Sequence, residues 1–153
     1  MSSVSTIAQW QSEVQEHLPS LSRSQAQVLG LWSYAIVLAK RCGITQVSNW
    51  LAHMLEVPRG RLRQRLREWD YEASAKRGSK RREVKVEECF ADLLRWVIQQ
   101  WEGEHRLALA LDATTLGERF TVLAVSVVYR GCAVPVAWKI FQANVTGEWQ
   151  GPI

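Results

Sequence analysis

The chain has 153 residues, of which 47% are hydrophobic and 22% are charged, and its formal net charge is +4. This composition is typical of a globular protein and excludes a disordered one, and the length suits one ordinary domain or a small domain with part of another. No apolar run reaches the roughly 18–20 residues of a membrane span, and the N-terminus lacks the basic-then-apolar pattern of a signal peptide. We therefore expect a cytoplasmic protein with no membrane partner, whose three scattered cysteines are reduced and buried.

Positive charge is concentrated in one part of the chain. Residues 59–85 contain eleven Lys or Arg against four Asp or Glu, whereas residues 86–153 contain five basic and eight acidic residues. Such asymmetry is typical of a segment that binds a polyanion and is joined to a region with another role.

The N-terminal part of the chain predicts two helices. The first has an apolar stripe at helical spacing, formed by Ile7, Trp10, Val14 and Leu18. Thr6 is its expected cap and Pro19 its stop. The second, residues 22–43, is apolar on nearly every face and is expected to end at Gly43. A helix with so little polar surface belongs at the centre of a helical bundle.

The next two predicted helices have the outline of a helix-turn-helix. An apolar stripe runs through residues 47–55, with Thr45 as the expected cap. The sequence VPRG then breaks the pattern, and a second stripe follows at Leu62, Leu66 and Trp69. Two short helices around a tight turn make up this motif.

The second of these helices is unusually rich in arginine. Five arginines flank its apolar stripe on both sides, namely Arg59, Arg61, Arg63, Arg65 and Arg67. Only one acid, Glu68, accompanies them, whereas a helix that only needs to be soluble usually mixes its charge signs. The excess favours contact with DNA phosphates. A solvated helix whose arginine stems cover the core is the open alternative.

Residues 72–85, EASAKRGSKRREVK, carry almost no large apolar side chains. We interpret them as a basic linker between a helical DNA-binding domain at 1–71 and a second domain at 86–153. The linker could follow a DNA backbone or remain solvated, and both readings stay open. Its candidate DNA contacts are Lys76, Arg77, Lys80, Arg81 and Arg82.

The second domain begins with an amphipathic helix at 86–101 and continues with three β-type runs at 106–114, 120–130 and 132–141. Short connections, with a tight turn at Arg130-Gly131, predict an antiparallel meander. Pro135 cannot donate to a strand ladder, so the third run is expected at an edge. The predicted order is third, second, first, which leaves one side of the first strand open.

Asp112 follows a run built only from Leu and Ala. On a strand, Leu107, Leu109 and Leu111 share one face, while Asp112 shares the other face with two alanines. Aspartate is disfavoured within strands and costly to bury unpaired, so its presence requires a reason. At the C-terminal end of the first strand, beside Thr114, it could bind a divalent cation. A turn-forming aspartate is the alternative.

The order of these segments resembles a known family. A helical region, a basic linker, a strand ending in LALDATTLG, the block FTVLAVSVVYRGCAVPVAWKI and a trailing GEW resemble the N-terminal part of a DDE-type insertion-sequence transposase. The resemblance is most specific from Leu107 to Trp149. It implies an α+β fold, with an N-terminal helical bundle that contains a helix-turn-helix-like pair, followed by an incomplete ribonuclease-H-like β-meander.

The same resemblance implies a site, a cofactor and partners. Asp112 corresponds to the first acid of the catalytic triad, which binds Mg²⁺ or Mn²⁺ in the complete enzyme. The implied partners are double-stranded DNA at transposon ends and further copies of the enzyme in a homo-oligomer. The second Asp and the final Glu of such enzymes lie far downstream of the third strand, whereas this chain ends at Ile153. We therefore expect a transposase fragment that binds DNA, supplies Asp112 and is inactive alone.

Two other functions remain open at this point. One is a non-enzymatic helix-turn-helix module that binds DNA and uses the β region as a scaffold. The other is a ribonuclease-H-like nuclease of a different kind, acting on RNA or on a DNA junction.

Overall fold

A computed structural model describes residues 3–76, 82–102 and 106–143, with side chains from residue 5 onward. Within these residues the fold is mixed α+β, as predicted, with five α-helices followed by a three-stranded antiparallel sheet. The chain divides into two compact units, Met1–Asp92 and Leu93–Ile153. The predicted linker at 72–85 lies within the first unit, and its residues 77–81 lie outside the described part.

The elements follow one another in a simple order. The α-helices are α1 (Ser3–His17), α2 (Arg23–Ala39), α3 (Ile44–Leu55), α4 (Arg59–Arg67) and α5 (Phe90–Gln99). Short 3-10 turns occupy Ala73–Ala75 and Val86–Cys89. The strands are β1 (Ala108–Leu116), β2 (Phe120–Tyr129) and β3 (Cys132–Gln142).

Helix α2 is the central element of the helical unit, as its apolar faces predicted. It packs against α1, α3 and α4. The core cluster draws on all four helices and comprises Ile7, Val28, Leu31, Ala35, Val47, Leu51, Leu62 and Leu66. The apolar stripes predicted for α3 and α4 therefore bury their residues in a common core.

Helices α1 and α2 approach closely at Gly30. A Cβ atom at this position would lie 3.0 Å from the Cα atom of Gln11, so only glycine permits the approach without a shift. Two side-chain hydrogen bonds span the same contact. Gln11 Nε2 donates to the carbonyl oxygen of Gln27 at 2.7 Å, and Trp10 Nε1 donates to Ser33 Oγ at 2.9 Å.

The helix ends differ from the predicted ones. Helix α1 begins at Ser3, so Thr6 lies inside it and not at its cap. Helix α2 ends before Lys40, which adopts the left-handed conformation (φ 50°) without being glycine. Gly43 is the N-cap of α3, the position predicted for Thr45.

The sequence analysis also missed the cap of α2. Ser22 and Gln25 form a capping box, in which the backbone N–H of each donates to the side chain of the other. The signal was present in the sequence, because Ser followed three residues later by Gln is a capping-box pattern.

The strand order β1-β2-β3 confirms the predicted meander, with both predicted edge strands in place. Arg130 and Gly131 both have positive φ, at 49° and 80°, which fits the two-residue hairpin turn. Pro135 lies in the edge strand β3, as expected. The register of the β2–β3 pairing shifts beside Pro135. Ser126 pairs with Pro135, whereas the preceding residue of β2 pairs with Ala137.

The end of α5 is fixed to the turn between β2 and β3. The Tyr129 hydroxyl donates to the carbonyl oxygen of Gln100 at 3.2 Å, and its ring centroid lies 4.7 Å from that of Trp101. Arg130 forms an exposed ion pair with Glu102. These contacts place the chain that leaves α5 beside the sheet.

Two expectations from composition concerned membrane spans and the cysteines. Among the described residues no single helix is long and apolar enough to cross a membrane, and α2 and α3 pass such a test only as a pair bent by 94°. The cysteines are free, but Cys42 and Cys132 are exposed and Cys89 is partly exposed. The expectation that they are buried was wrong.

Candidate functional site

Helix α4 presents arginine on both sides of its buried stripe. Leu62 and Leu66 face the core with 5% and 0% exposure, whereas all five arginines are exposed. At about 100° per residue the arginines form two rows. The first row is Arg59, Arg63 and Arg67, and the second row is Arg61 and Arg65.

The charge of these rows is not neutralised within the described part of the chain. No arginine of either row forms an ion pair with an acid there. Glu68, the acid that follows α4, instead accepts a hydrogen bond from Gln64. The guanidinium groups, each with five N–H donors, are therefore available to an external anion.

Contacts at both ends hold α4 in position. A three-residue connection, 56–58, joins it to α3, and Glu56 turns the chain in the left-handed conformation (φ 53°). After its C-terminus, Trp69 Nε1 donates to the carbonyl oxygen of Gln25 in α2 at 2.9 Å. The ring of Trp69 also meets that of Trp32 edge-on, with centroids 6.3 Å apart. The arginine rows thus lie on a rigid support.

The two rows have different surroundings. Arg61 and Arg65 border an open cleft of about 410 Å³, whose apolar lining includes Ile7, Leu31 and Leu55. No residue of the first row lines this cleft. The stems of the second row therefore lie along apolar surface, as in the solvated-helix alternative, whereas the first row faces away from it.

The described residues of the basic linker are bonded to the helical unit. Lys76 Nζ donates to the carbonyl oxygens of Trp69 at 3.0 Å and of Arg82 at 2.7 Å. Gln25 Nε2 donates to the carbonyl oxygen of Glu83 at 2.8 Å. The residues before and after the segment 77–81 are thereby held close together.

The candidate DNA contacts of the linker have different environments. Burial lowers the pKa of the Lys76 ammonium below its ordinary value, while nearby Asp70, Glu83 and Glu68 oppose part of this shift. The donors of Lys76 are engaged internally, so it differs from the arginines of α4. Arg82 is exposed. The candidates Arg77, Lys80 and Arg81 lie outside the described residues.

Asp112 lies in the middle of β1 and not at its end, so the prediction of its place in the strand was wrong. The strand continues through residues 113–116 because they pair with β2, as far as Leu116 opposite Phe120. The carboxylate is exposed, and Thr114 Oγ1 donates to its Oδ2 atom at 2.9 Å. Thr114 therefore lies beside Asp112 as predicted, but the strand does not end there.

Asp112 does not belong to a cluster of metal ligands in the described residues. No group of three or more His, Cys, Asp or Glu side chains there could hold a metal ion. A divalent cation needs about six oxygen ligands, and one carboxylate with one hydroxyl supplies too few. The described residues therefore do not fit Mg²⁺ or Mn²⁺.

The chain matches no protein-family model, no curated protein and no solved structure in comparisons with known proteins. Two features of the described residues bear on its function, namely the arginine rows of α4 and the exposed Asp112 of β1.

Proposed function

We propose that this protein binds double-stranded DNA, with α3 and α4 acting as a helix-turn-helix pair and α4 as the helix that meets the duplex. The observation that carries the proposal is the exposed first row of arginines without acidic partners among the described residues. Support of α4 by Trp69 and the core adds to it, because a helix that is already held in place does not have to be ordered on binding.

Phosphate contact explains this surface better than solubility does. Each Lys or Arg that neutralises a phosphate releases condensed counterions, which favours binding of any sequence. Phosphate contacts position a protein on DNA but do not read bases. We therefore assign general duplex affinity to the first row, and a smaller contribution to the second row because its stems also cover apolar surface.

We further propose that the protein belongs to the DDE transposase class, with Asp112 as the first catalytic acid. This part depends on the sequence resemblance, and the antiparallel sheet after a helical unit is compatible with it. Catalysis would depend on Mg²⁺ or Mn²⁺ in a complete enzyme with further carboxylates. Because the described residues do not fit such an ion, we assign no reaction step to them and expect the 153-residue chain not to cut DNA.

Salt dependence tests the DNA-binding surface. Replacing Arg59, Arg63 and Arg67 by Ala should weaken duplex binding and flatten the log–log slope of affinity against salt by about 0.9 for each phosphate that is no longer neutralised. Fluorescence anisotropy with a labelled duplex over a salt series gives this slope. Arg130→Ala is the matched control, because Arg130 is an exposed arginine in an ion pair with Glu102.

A slope that stays unchanged in the triple variant would show that the first row is only a solvated surface. Flattening by Arg130→Ala of about one third of that in the triple variant would show that binding follows overall charge and not α4, because one charge is removed instead of three. A weaker helical circular-dichroism signal would point to unfolding, so this signal is compared first.

The catalytic assignment needs a chain that carries the remaining acids. In such a chain, rejoined from downstream coding sequence or borrowed from a close relative, Asp112→Asn should abolish metal-dependent cleavage at transposon ends and preserve DNA binding. The substitution removes the negative charge while nearly keeping the shape of the side chain. Glu118→Gln, at an exposed acid of the β1–β2 turn, is the control and should cut normally.

A DNA-binding protein without catalytic activity is the second candidate. The observation that favours it is that the described residues place no metal-ligand cluster at Asp112. No cleavage by the rejoined chain would support this candidate over the transposase, whereas cleavage that survives Asp112→Asn would show that Asp112 is not the catalytic acid.

A further inference from the structure

The outward face of α4 carries one uncharged polar side chain, that of Gln64. Gln64 lies two residues from Leu62 and two from Leu66, so at about 100° per residue it projects on the side of the helix opposite to both buried leucines. Arg63 and Arg65 flank it, one from each arginine row, and Gln64 itself is exposed. Gln64 therefore lies at the centre of the surface that the proposed function turns towards the duplex.

The same face is open on the N-terminal side of Gln64. Gly60 lies one turn before it, and a Cβ atom at Gly60 would meet nothing within 4 Å. Glycine weakens a helix relative to alanine, and packing within the described residues gives no reason for glycine here. The absence of a side chain at Gly60 does let another molecule approach the backbone of the first turn closely, and so come within reach of Gln64.

Glu68 fixes the orientation of the Gln64 amide. It lies one turn after Gln64 and accepts a hydrogen bond from Gln64 Nε2. An ionised carboxylate only accepts hydrogen bonds, so the amide nitrogen of Gln64 must point towards Glu68 and its amide oxygen away from it. The second N–H of Nε2 and the Oε1 atom are not engaged within the described part of the chain. One donor and one acceptor of the amide therefore remain available on the outward face.

A donor beside an acceptor on one amide matches the edge of adenine in the major groove of DNA. Adenine presents its N6 amino group as a donor and N7 as an acceptor there, and a glutamine amide binds both at once. Guanine presents two acceptors, O6 and N7, so one of them would face the amide oxygen without a proton between them. The major groove is wide enough to admit an α-helix. An A·T pair therefore suits Gln64 better than a G·C pair.

We propose that Gln64 reads an adenine in the major groove, with its amide oxygen accepting from adenine N6 and its amide nitrogen donating to adenine N7. Glu68 is a positioning residue, which holds the amide in the orientation that this pair requires. Because α4 must be the helix that meets the duplex, this assignment rests on the proposed function. It adds a sequence preference to the general duplex affinity of the arginine rows, whose phosphate contacts do not read bases.

Selection from duplexes with a randomised central stretch tests the preference. The full chain should select an A·T pair at a fixed position. Gln64→Ala should lose the preference at that position, and Gln64→Arg should exchange it for G·C, because arginine binds guanine O6 and N7. Replacing the selected A·T by G·C should weaken binding of the unchanged chain by about 5- to 150-fold, and that of Gln64→Ala far less. Gln9→Ala, at an exposed glutamine of α1, is the matched control and should keep the preference.

A modified base tests the contact atom without changing the protein. In 7-deazaadenine a C–H group replaces N7, so the base keeps its Watson–Crick pairing but loses the acceptor. This base at the selected position should weaken binding of the unchanged chain and leave that of Gln64→Ala unaffected, because both changes remove the same hydrogen bond. Glu68→Ala should lower the preference for A·T while raising affinity for duplexes of any sequence, since it frees the amide and removes a negative charge beside the arginines.

Two results distinguish failure of this assignment from failure of the proposed function. Salt-dependent duplex binding without a base preference, or with a preference that survives Gln64→Ala, would overturn the assignment and leave DNA binding by the arginine rows in place. Equal weakening of both proteins by 7-deazaadenine would overturn it in the same way, and an unchanged preference in Glu68→Ala would remove the positioning role of Glu68. If the unchanged chain binds no duplex at low salt, the proposed function fails together with the assignment.

Discussion

Two tryptophans in the helical unit share a ring contact but differ in hydrogen bonding. Trp69 Nε1 donates to the carbonyl oxygen of Gln25, whereas Trp32 Nε1 is buried without a hydrogen-bond partner among the described residues. Their rings meet edge-on, so both contribute apolar and aromatic contact at the same place. Comparing the same substitution at the two positions therefore measures how much the Trp69 hydrogen bond contributes to the free energy of unfolding, apart from the contribution of the aromatic ring.

Trp69→Phe should destabilise the fold more than Trp32→Phe. Both substitutions reduce ring size, but only Trp69→Phe removes a hydrogen bond and leaves the Gln25 carbonyl oxygen without this donor. We expect a difference of about 1 kcal/mol in the free energy of unfolding. Urea denaturation of the two variants gives it, and an equal effect in both would show that the Trp69 bond adds no net stability.

The helices and strands were predicted more reliably than their boundaries. Helix α2 was expected to end at Gly43, but it ends before Lys40, because the chain turns there to lead into α3. Strand β1 was expected to end near Asp112, but pairing with β2 extends it to Leu116. At the scale of elements, long-range pairing decides where a locally favourable pattern stops.

Replacing two helical glycines by alanine should change the stability of the protein in opposite directions. Gly30→Ala should destabilise the protein by about 1–3 kcal/mol, because the new methyl group would press on the backbone of Gln11. Gly60→Ala in α4 should stabilise it by up to about 1 kcal/mol, since nothing lies within 4 Å and alanine favours the helix. Thermal unfolding of both variants checks the signs, and a stabilising Gly30→Ala would show that the approach of α1 and α2 is not tight.

The two compact units differ in how much apolar surface they bury. Nearly all of the hydrophobic residues that are buried in the described part of the chain lie in the helical unit, and only Val127 and Val136 among them belong to the sheet. In β1 the strand residues are exposed with the exception of Ala110, which is intermediate. A sheet of three strands needs a covering layer or a further partner for independent stability.

Residues 1–92 produced alone should therefore unfold in one cooperative transition, whereas residues 93–153 alone should be poorly stable and associate with increasing concentration. The core cluster around α2 supports the first expectation, and the exposed edge of β1 supports the second. Calorimetry and light scattering of the two segments provide the test. A monomeric, cooperatively melting sheet segment would contradict this expectation.

The sequence by itself determined the features that depend on local pattern. Periodicity predicted the helices, the three strands and the central place of α2, and short connections with Pro135 predicted the strand order. The exposure of the α4 arginines also followed from their spacing around Leu62 and Leu66, since a helix with a buried stripe turns its other faces outward.

Only the tertiary structure decided the features that depend on residues far apart in the chain. The bonding of Lys76, the support of α4 by Gln25 and the mid-strand place of Asp112 all depend on partners that no local pattern names. The register of β1 against β2 carries Asp112 away from the strand end and leaves its carboxylate exposed at an open edge. A strand pattern specifies which face a side chain takes, whereas its distance from the strand end is set by how far the neighbouring strand continues to pair.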